Sequence, residues 1–303
     1  MSEERLNPLL LCFEGRSPFA NRMAEQGDFE EVPVGLHRFP DGESLVRVDA
    51  RLAGRHCVVF CSLRSPDEIL FPLLSVAYTA RELGALSVGL VAPYLAYMRQ
   101  DKRFHSGEAV SARPFAHLIS NHFDYLVTVD PHLHRYHRLD ALYRIPATVV
   151  SAVPLMADWI RRNIEKPLLV GPDQESLQWV GAAAELANAP FILLEKTRHG
   201  DEDVDVKLPE VANWRERTPV LIDDILSTGN TMSKTVRGLI AEGFAPPVCL
   251  AVHAVFAGQA EALLTEAGAA RLVTANSIAH PTNAVDLCDP VLHALREHLK
   301  TRR

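Results

Sequence analysis

The 303-residue sequence lacks the features that mark several specialised classes of protein. Its five cysteines include no C-x-x-C pair and mostly lie in apolar runs, which indicates small buried hydrophobes in a reducing environment. No apolar run approaches the roughly 18 residues of a membrane helix. The first ten residues are too acidic and too poor in apolar side chains to predict a signal peptide. We therefore expect a cytoplasmic protein.

The sequence also has fewer basic than acidic residues. The chain has 31 lysines and arginines against 38 acidic residues, a formal net charge of −7. No global basic field is present to attract nucleic acid, although a local basic site for phosphates stays open. Hydrophobic residues make up 48% and charged residues 23%, which is typical of a globular protein with a sizeable core. The length predicts two domains, with one large α/β domain as the alternative.

Short apolar runs alternate with helical patterns along the chain. Strands are predicted at 8–14, 56–63, 86–92, 124–130, 167–172, 190–194, 219–223, 247–255 and 271–274. Helices are predicted at 69–84, 110–121, 154–163, 175–187, 231–242 and 258–267. Continuous apolar strands separated by helices favour mainly parallel sheets flanked by helices, with functional sites at the carboxyl ends of strands. The acidic stretch 199–210 has weak periodicity and predicts a mobile loop.

The segment VLIDDILSTGNTM at residues 220–232 carries the clearest chemistry. An apolar strand delivers Asp223 and Asp224, then a hydroxyl-rich turn leads into a helix whose N-terminus offers free N–H groups to a phosphate. Thr228 and Thr231 add hydroxyl donors, and Gly229 allows close backbone approach. The acids suit sugar hydroxyls or a magnesium shell. The alternative is an ordinary strand–turn–helix, capped by Ser227 or Thr228, with solvated acids.

This segment resembles the ribose-5-phosphate loop of the type I phosphoribosyltransferase superfamily. Three further segments resemble the ribose-phosphate diphosphokinases within it: RFPDGES at 38–44, APYLAYMRQDKR at 92–103 and EKTRHG at 195–200. Taken singly, these segments have plain alternatives as a Pro-Asp-Gly turn, a solvated charge run and an exposed surface strand. The motifs follow one another in the family's order over roughly residues 35–290.

The resemblance implies specific roles. It assigns ATP binding to Phe39, Asp41, Glu43, Arg99, Gln100 and Asp101. The loop around Phe39 contacts the adenine of ATP bound to a neighbouring subunit in that family, while Arg99 binds the triphosphate and Gln100 the adenine. Lys196 and Arg198, which alternation puts on one side of an extended chain, are assigned to catalysis at the transferring phosphoryl group.

Metal binding is implied at two strand ends. Asp130-Pro-His132 resembles the family's D-x-H, in which the histidine assists a magnesium. His134 and His137 nearby suggest zinc as an alternative, but H-x-H-x-x-H lacks the fourth ligand of a structural site. Asp173, in a sequence that resembles S-P-D, is assigned to the metal or the ribose. The cofactor implied is Mg²⁺.

Ribose 5-phosphate binding is assigned by the resemblance to Asp173, Asp223, Asp224, Ser227, Thr228, Gly229, Asn230 and Thr231. Some of these positions depart from the family pattern. Ser227 stands where many members have aspartate, and Asn230 replaces a common glycine. Residues 174–176 replace a frequent pair of glycines. The departures bear on substrate and regulation more than on reaction class.

The family resemblance implies two phosphoribosyltransferase-like α/β domains, an ATP-side domain at 1–148 and a ribose-5-phosphate-side domain at 149–303, whose last segment packs back on the first. It implies dimers or hexamers, with no nucleic acid or membrane partner. The expected reaction transfers the diphosphate of ATP to the 1-hydroxyl of ribose 5-phosphate and releases AMP. The alternatives are a phosphoribosyltransferase and a catalytically silent regulatory paralogue.

Overall fold

The computed structural model describes residues 7–13, 17–173, 176–198, 204–207 and 212–302, leaving aside the side chains of 195–198, 204–207 and 212. The chain divides into two compact units, one made of residues 1–150 with 288–303 and the other of residues 151–287. Within the described ranges, no helix has both the length and the apolar character needed to cross a membrane.

The first unit is built on a seven-stranded sheet with the order β3-β2-β1-β4-β5-β6-β7. Its strands are β1 (Leu9–Cys12), β2 (Glu30–Arg38), β3 (Ser44–Val48), β4 (His56–Phe60), β5 (Ser87–Ala92), β6 (Tyr125–Val129) and β7 (Ala147–Val150). All neighbours pair in parallel except β2 and β3, which form an antiparallel hairpin at one edge. The central strands β5 and β6 are buried along their whole length, because helices cover both faces of such a sheet.

Three helices of the first unit come before the second unit in the chain. They are α1 (Pro18–Gly27), α2 (Pro66–Glu82) and α3 (Ala112–His122). Both α1 and α2 begin with a proline, whose fixed φ suits the first turn and whose missing N–H would have no helical partner there. The core that these elements enclose contains the fully buried Leu90, Val76 and Ile119.

The second unit is built on a six-stranded sheet, all parallel, with the order β15-β14-β13-β12-β8-β9. Its strands, with a separate hairpin of β10 and β11, are β8 (Pro167–Gly171), β9 (Phe191–Leu193), β10 (Glu195–Arg198), β11 (Val204–Lys207), β12 (Thr218–Leu226), β13 (Val248–Ala254), β14 (Arg271–Ala275) and β15 (Asn283–Val285). Its helices are α4 (Val153–Asn163), α5 (Leu177–Ala187), α6 (Asn230–Ala241) and α7 (Ala260–Glu266). The predicted fold class, two α/β domains with mainly parallel sheets, is confirmed.

The last helix, α8 (Cys288–Lys300), belongs to the first unit and packs against α1, β6 and β7. Arg296 Nη2 donates to the carbonyl oxygen of Gln26 at 2.5 Å. His298 Nε2 lies 2.9 Å from the hydroxyl of Thr148. These contacts join positions 270 and 150 residues apart, so no local pattern in the sequence predicts them.

One expectation about the acidic stretch 199–210 is wrong in part. Residues 204–207 form strand β11, which pairs antiparallel with β10, so this portion is not a loop. Valines at 204 and 206 alternate with polar residues, a period of two that suits a strand. The remaining residues, 199–203 and 208–210, lie outside the described part of the chain.

Candidate active site

The carboxyl edge of the sheet in the second unit gathers the sugar-phosphate candidates. Strand β12 carries Asp223 and Asp224 and runs on to Leu226, while the neighbouring β8 ends at Gly171, two residues before Asp173. Parallel neighbours end at the same edge, so the polar residues that follow them are delivered to one side of the sheet. The pairing of β12 with β8 therefore brings Asp173 to the same edge of the sheet as Asp223 and Asp224.

The turn after β12 leads directly into the N-terminus of α6. Gly229 is the N-cap and has φ 74°, a left-handed conformation that glycine adopts without the steric penalty of a side chain. The turn is fixed by the loop after β13, since Ala257 N donates to the carbonyl oxygen of Ser227 at 3.1 Å. Thr228 and Asn230 are exposed, and Thr231 is half-buried. A twelve-residue helix thus presents its first-turn N–H groups, a favourable place for a phosphate.

The plain alternative for this turn assigned the N-cap to Ser227 or Thr228, and that assignment is wrong. The N-cap is Gly229, and the part of the chain that the structure describes shows no side-chain hydrogen bond at this cap. The physical reason is that a glycine in the left-handed region turns the chain one residue later than the hydroxyl residues. An uncapped N-terminus retains N–H groups for a ligand.

Half-buried carboxylates precede the turn. Asp223 Oδ1 accepts a hydrogen bond from Asp224 N at 2.9 Å, which orients the Asp223 carboxylate along the strand end. Asp223 and Thr231 also line a cavity of about 30 Å³, enough for one water molecule. Adjacent carboxylates of this kind offer oxygen acceptors to sugar hydroxyls or to a hard cation.

Asp173 sits in a local turn after β8. Its Oδ1 accepts from Ser176 N at 3.3 Å, and its carbonyl oxygen accepts from the Ser176 hydroxyl at 2.6 Å. The approach to this turn is tight, because a Cβ on Gly171 would lie 2.6 Å from Leu193 Cδ2 and 2.8 Å from Val180 Cγ2. Residues 174 and 175, two of the three departures noted after Asp173, lie outside the described residues.

The candidate catalytic strand, β10, follows β9 in the chain and lies in the separate two-stranded β10–β11 hairpin. Leu194 N donates to the carbonyl oxygen of Gly171 at 3.1 Å, which ties the start of this strand to the end of β8. In β10, Lys196 pairs with Val206 and Arg198 with Val204 of β11. The backbone therefore puts both cationic positions in a hairpin that leaves the sheet near Asp173. Their side chains lie outside the described part of the structure.

In the first unit, the loops after β5 and β6 lie side by side. Val129 N donates to the carbonyl oxygen of Pro93 at 3.3 Å, and Arg135 Nε lies 3.7 Å from Asp101 Oδ1. The Asp101 side chain is only 8% exposed, so a buried carboxylate links the two loops through its contact with Arg135. Arg135 is a contact that the sequence interpretation missed. The only local signal for it is its position near the D-x-H motif.

Two of the three nucleotide candidates after β5 are open to solvent. Arg99 and Gln100 are both exposed, beyond the buried Met98. The half-buried His132, after β6, stacks on His134 with ring centroids 3.7 Å apart.

The remaining nucleotide candidates occupy the tip of the β2–β3 hairpin. Phe39 N donates to the carbonyl oxygen of Glu43 at 2.8 Å, and Glu43 N donates to Asp41 Oδ1 at 3.1 Å. Gly42 has φ 94°, which this tight turn requires. Phe39 is 41% exposed. Because β1 and β4 separate β2 from β5, the hairpin lies about 14 Å across the sheet from the β5 loop, at roughly 4.8 Å per strand.

Comparison with protein families gives two matches that together span most of the chain. Residues 9–122 match the N-terminal domain of ribose phosphate pyrophosphokinase. Residues 138–289 match the phosphoribosyl transferase domain. The two matches follow the two halves of the chain.

Individual relatives carry the same name. The chain is 33% identical over 276 residues to a ribose-phosphate pyrophosphokinase of Methanopyrus kandleri, covering 90% of this chain and 94% of the relative. It is 32% identical over 290 residues to one of Methanobrevibacter smithii, covering 92% and 96%. Its fold matches the crystal structure of phosphoribosylpyrophosphate synthetase from Mycobacterium smegmatis with a TM-score of 0.85 at 24% identity, covering 98% of this chain and all of the other.

Proposed function

This chain belongs to the ribose-phosphate pyrophosphokinase family, and we propose that it transfers the diphosphate of ATP to the 1-hydroxyl of ribose 5-phosphate, giving 5-phosphoribosyl 1-diphosphate and AMP. One observation carries the proposal for this chain's own residues: a pair of half-buried carboxylates leads into a glycine turn at the open N-terminus of α6. That arrangement supplies acceptors for ribose hydroxyls and donors for the 5-phosphate at one strand end.

The sugar phosphate is assigned to the second unit. The N–H groups of the α6 first turn, with the hydroxyls of Thr228 and Thr231, bind the 5-phosphate. Asp223 and Asp224 accept hydrogen bonds from the ribose hydroxyls and hold the 1-hydroxyl for in-line attack on the β-phosphorus. Ser227 and Asn230 fit this role, because a hydroxyl donates to phosphate and asparagine tolerates turn conformations.

ATP is assigned to residues of the first unit. The exposed guanidinium of Arg99 pairs with the triphosphate, and the Gln100 amide recognises adenine. Phe39, Asp41 and Glu43 act on the adenine bound to a second copy of the chain, a proposal supported by their distance across the sheet from the β5 loop. A homo-oligomer, whether dimer or hexamer, is part of this proposal, as is a cytoplasmic location.

Phosphoryl-type transfer needs alignment and charge neutralisation more than covalent assistance. Lys196 and Arg198 stabilise the charge that builds on the transferring group, and no residue is assigned as a general base. Bound magnesium would supply positive charge that offsets the negative charge of the phosphate groups. The donor set fits this ion: Asp173 offers a hard carboxylate oxygen, which Mg²⁺ prefers, and His132 is assigned to assist a metal at the first unit.

The deciding experiment measures AMP release by the purified chain given MgATP and ribose 5-phosphate. We expect AMP and phosphoribosyl diphosphate in equal amounts, and no AMP when ribose 5-phosphate is withheld. A phosphoribosyltransferase would release no AMP from these substrates. A silent regulatory paralogue would stay inactive alone and change the rate of an active synthetase when mixed with it. Either result would overturn the proposal.

A further inference from the structure

The first turn of α2 touches both segments of the first unit that the proposed function assigns to ATP. Arg38 Nη2, one residue before Phe39, donates to the backbone carbonyl oxygen of Glu68 at 2.7 Å. The hydroxyl of Tyr97, two residues before Arg99, donates to the carboxylate of Asp67. Asp67 is thus connected, through a tyrosine, to the segment that carries the exposed nucleotide residues.

The backbone at Tyr97 is strained. Tyr97 has φ 62°, a left-handed conformation that is unfavourable for a non-glycine residue and persists only where its surroundings hold it. Two groups hold it here. The Tyr97 ring packs on Phe115 with centroids 5.0 Å apart, and its hydroxyl is bound by Asp67. The turn then closes where Gln100 N donates to the carbonyl oxygen of Tyr97 at 2.9 Å.

In the hydrogen bond between Tyr97 and Asp67, the tyrosine hydroxyl is the donor. Burial, followed by the hydrogen bond from Tyr97 to Asp67, raises the pKa of Tyr97 to about 12. Tyr97 therefore stays a protonated donor over the working range of an enzyme, with the Asp67 carboxylate as its acceptor. Asp67 lies in the first turn of α2, where the helix dipole favours its negative charge.

We propose that Asp67 is a positioning residue of the nucleotide site. By binding the Tyr97 hydroxyl, it fixes the strained turn from which Arg99 and Gln100 extend, and so sets where the triphosphate and adenine contacts fall. The inference rests on the proposed function. It goes beyond the ATP-binding assignments, none of which includes Asp67 or Tyr97.

The test compares Asp67→Ala and Tyr97→Phe with a matched control, Glu68→Ala. The control removes a neighbouring carboxylate in the same helix turn, while the Glu68 backbone carbonyl that receives Arg38 stays in place. Initial rates of AMP release are measured against MgATP at saturating ribose 5-phosphate, and against ribose 5-phosphate at saturating MgATP. We expect Asp67→Ala and Tyr97→Phe to raise KM for ATP about 5- to 30-fold, because each removes the hydrogen bond between the two side chains. KM for ribose 5-phosphate stays within twofold, and Glu68→Ala matches wild type for both.

A double variant separates positioning from general loss of structure. Because both changes remove the same hydrogen bond, Asp67→Ala combined with Tyr97→Phe should raise KM for ATP no more than either change alone. The role of Asp67 would be refuted if the effects of the two single changes on KM for ATP multiplied in the double variant. It would also be refuted if KM rose equally for ATP and ribose 5-phosphate, or if KM for ATP did not change. If the wild-type chain released no AMP, the proposed function would fail instead. Titration calorimetry with MgATP alone would then decide the inference, since the variants should bind it correspondingly more weakly.

Discussion

The imidazole of His298 lies flat on the phenol ring of Tyr125, with ring centroids 4.6 Å apart and an interplanar angle of 8°. Tyr125 is buried in β6, so this contact docks the C-terminal helix α8 on the central sheet of the first unit. Arg302 adds a hydrogen bond from Nη2 to the carbonyl oxygen of Asp124 at 2.8 Å. Burial, together with the positive charge of Arg302, lowers the pKa of His298 below its ordinary value of 6.5.

Acid should therefore weaken the docking of α8. A histidine whose pKa is lower in the folded than in the unfolded state takes up its proton preferentially on unfolding. The stability present above pH 6.5 is thus lost as the pH falls from 6.5 through the lowered folded pKa. We expect the thermal midpoint of wild type to drop between pH 7.5 and pH 5.5, and the drop to shrink in His298→Phe.

The exposed His293 on the same helix is the control for this prediction. His293→Phe removes an imidazole without disturbing the stack, so its pH dependence should follow wild type. Thermal unfolding of the three proteins across the pH series gives the comparison. A His298→Phe variant that lost as much stability in acid as wild type would show that other groups titrate on unfolding.

The packing of Gly89 against Tyr125 leaves no room for a side chain. The two residues face each other in the β5–β6 pairing, and the ring of Tyr125 occupies the space that a Cβ on Gly89 would take. Gly89→Ala should destabilise the protein by about 1–3 kcal/mol, the usual range for overpacking a core. The control is Gly35→Ala, at an exposed strand position where the new Cβ meets Arg47 at an ordinary 3.5 Å. Urea unfolding should separate them, and equal stabilities would refute this account.

Local sequence patterns predicted the buried strands and failed where pairing is long-range or irregular. Strand β13, VCLAVHA, is buried at all seven positions, so a continuous apolar run was enough to find it. Strand β2 contains Pro33 and Gly35, which weaken a strand pattern, and its place in the sheet depends on partners elsewhere in the chain. Helix α8 was missed although its buried Val291, Leu292, Leu295 and Leu299 recur at helical spacing; only its docking on the first unit depends on distant anchors such as Thr148 and Gln26.

The residues of the candidate site also differ in whether the sequence alone could predict them. The turn at Gly229 and the acids before it are adjacent in sequence, so a short motif carried them. Asp67 gave no such signal, because its partner Tyr97 is 30 residues away and only the fold brings the two together. The roles assigned to individual site residues stay predictions, and variants at Gly229 and Lys196 test two of them.

Gly229 and Gly243 provide a matched pair for testing the phosphate turn. Both are left-handed, with φ 74° and 87°, so alanine strains the backbone similarly at each, by about 1 kcal/mol. Only Gly229 lies in the turn assigned to the 5-phosphate; Gly243 follows the other end of α6. Gly229→Ala should raise KM for ribose 5-phosphate about tenfold or more, while Gly243→Ala leaves it unchanged at a similar thermal midpoint. If the two variants had the same KM for ribose 5-phosphate, the turn would not be part of the substrate site.

Lys196 is the sharpest test of the catalytic assignment. Groups that stabilise developing charge act in the transition state, and losing one typically lowers turnover about 10²–10³-fold. Lys196→Ala should therefore reduce kcat by that factor while the affinity for MgATP, measured by calorimetry, changes by less than about twofold, because ground-state binding uses other groups. Lys207→Ala, in the facing strand β11, is the control and should keep near-normal turnover. If Lys196→Ala turned over at close to the wild-type rate, or lost ATP affinity in proportion to its rate, Lys196 would not stabilise the transition state.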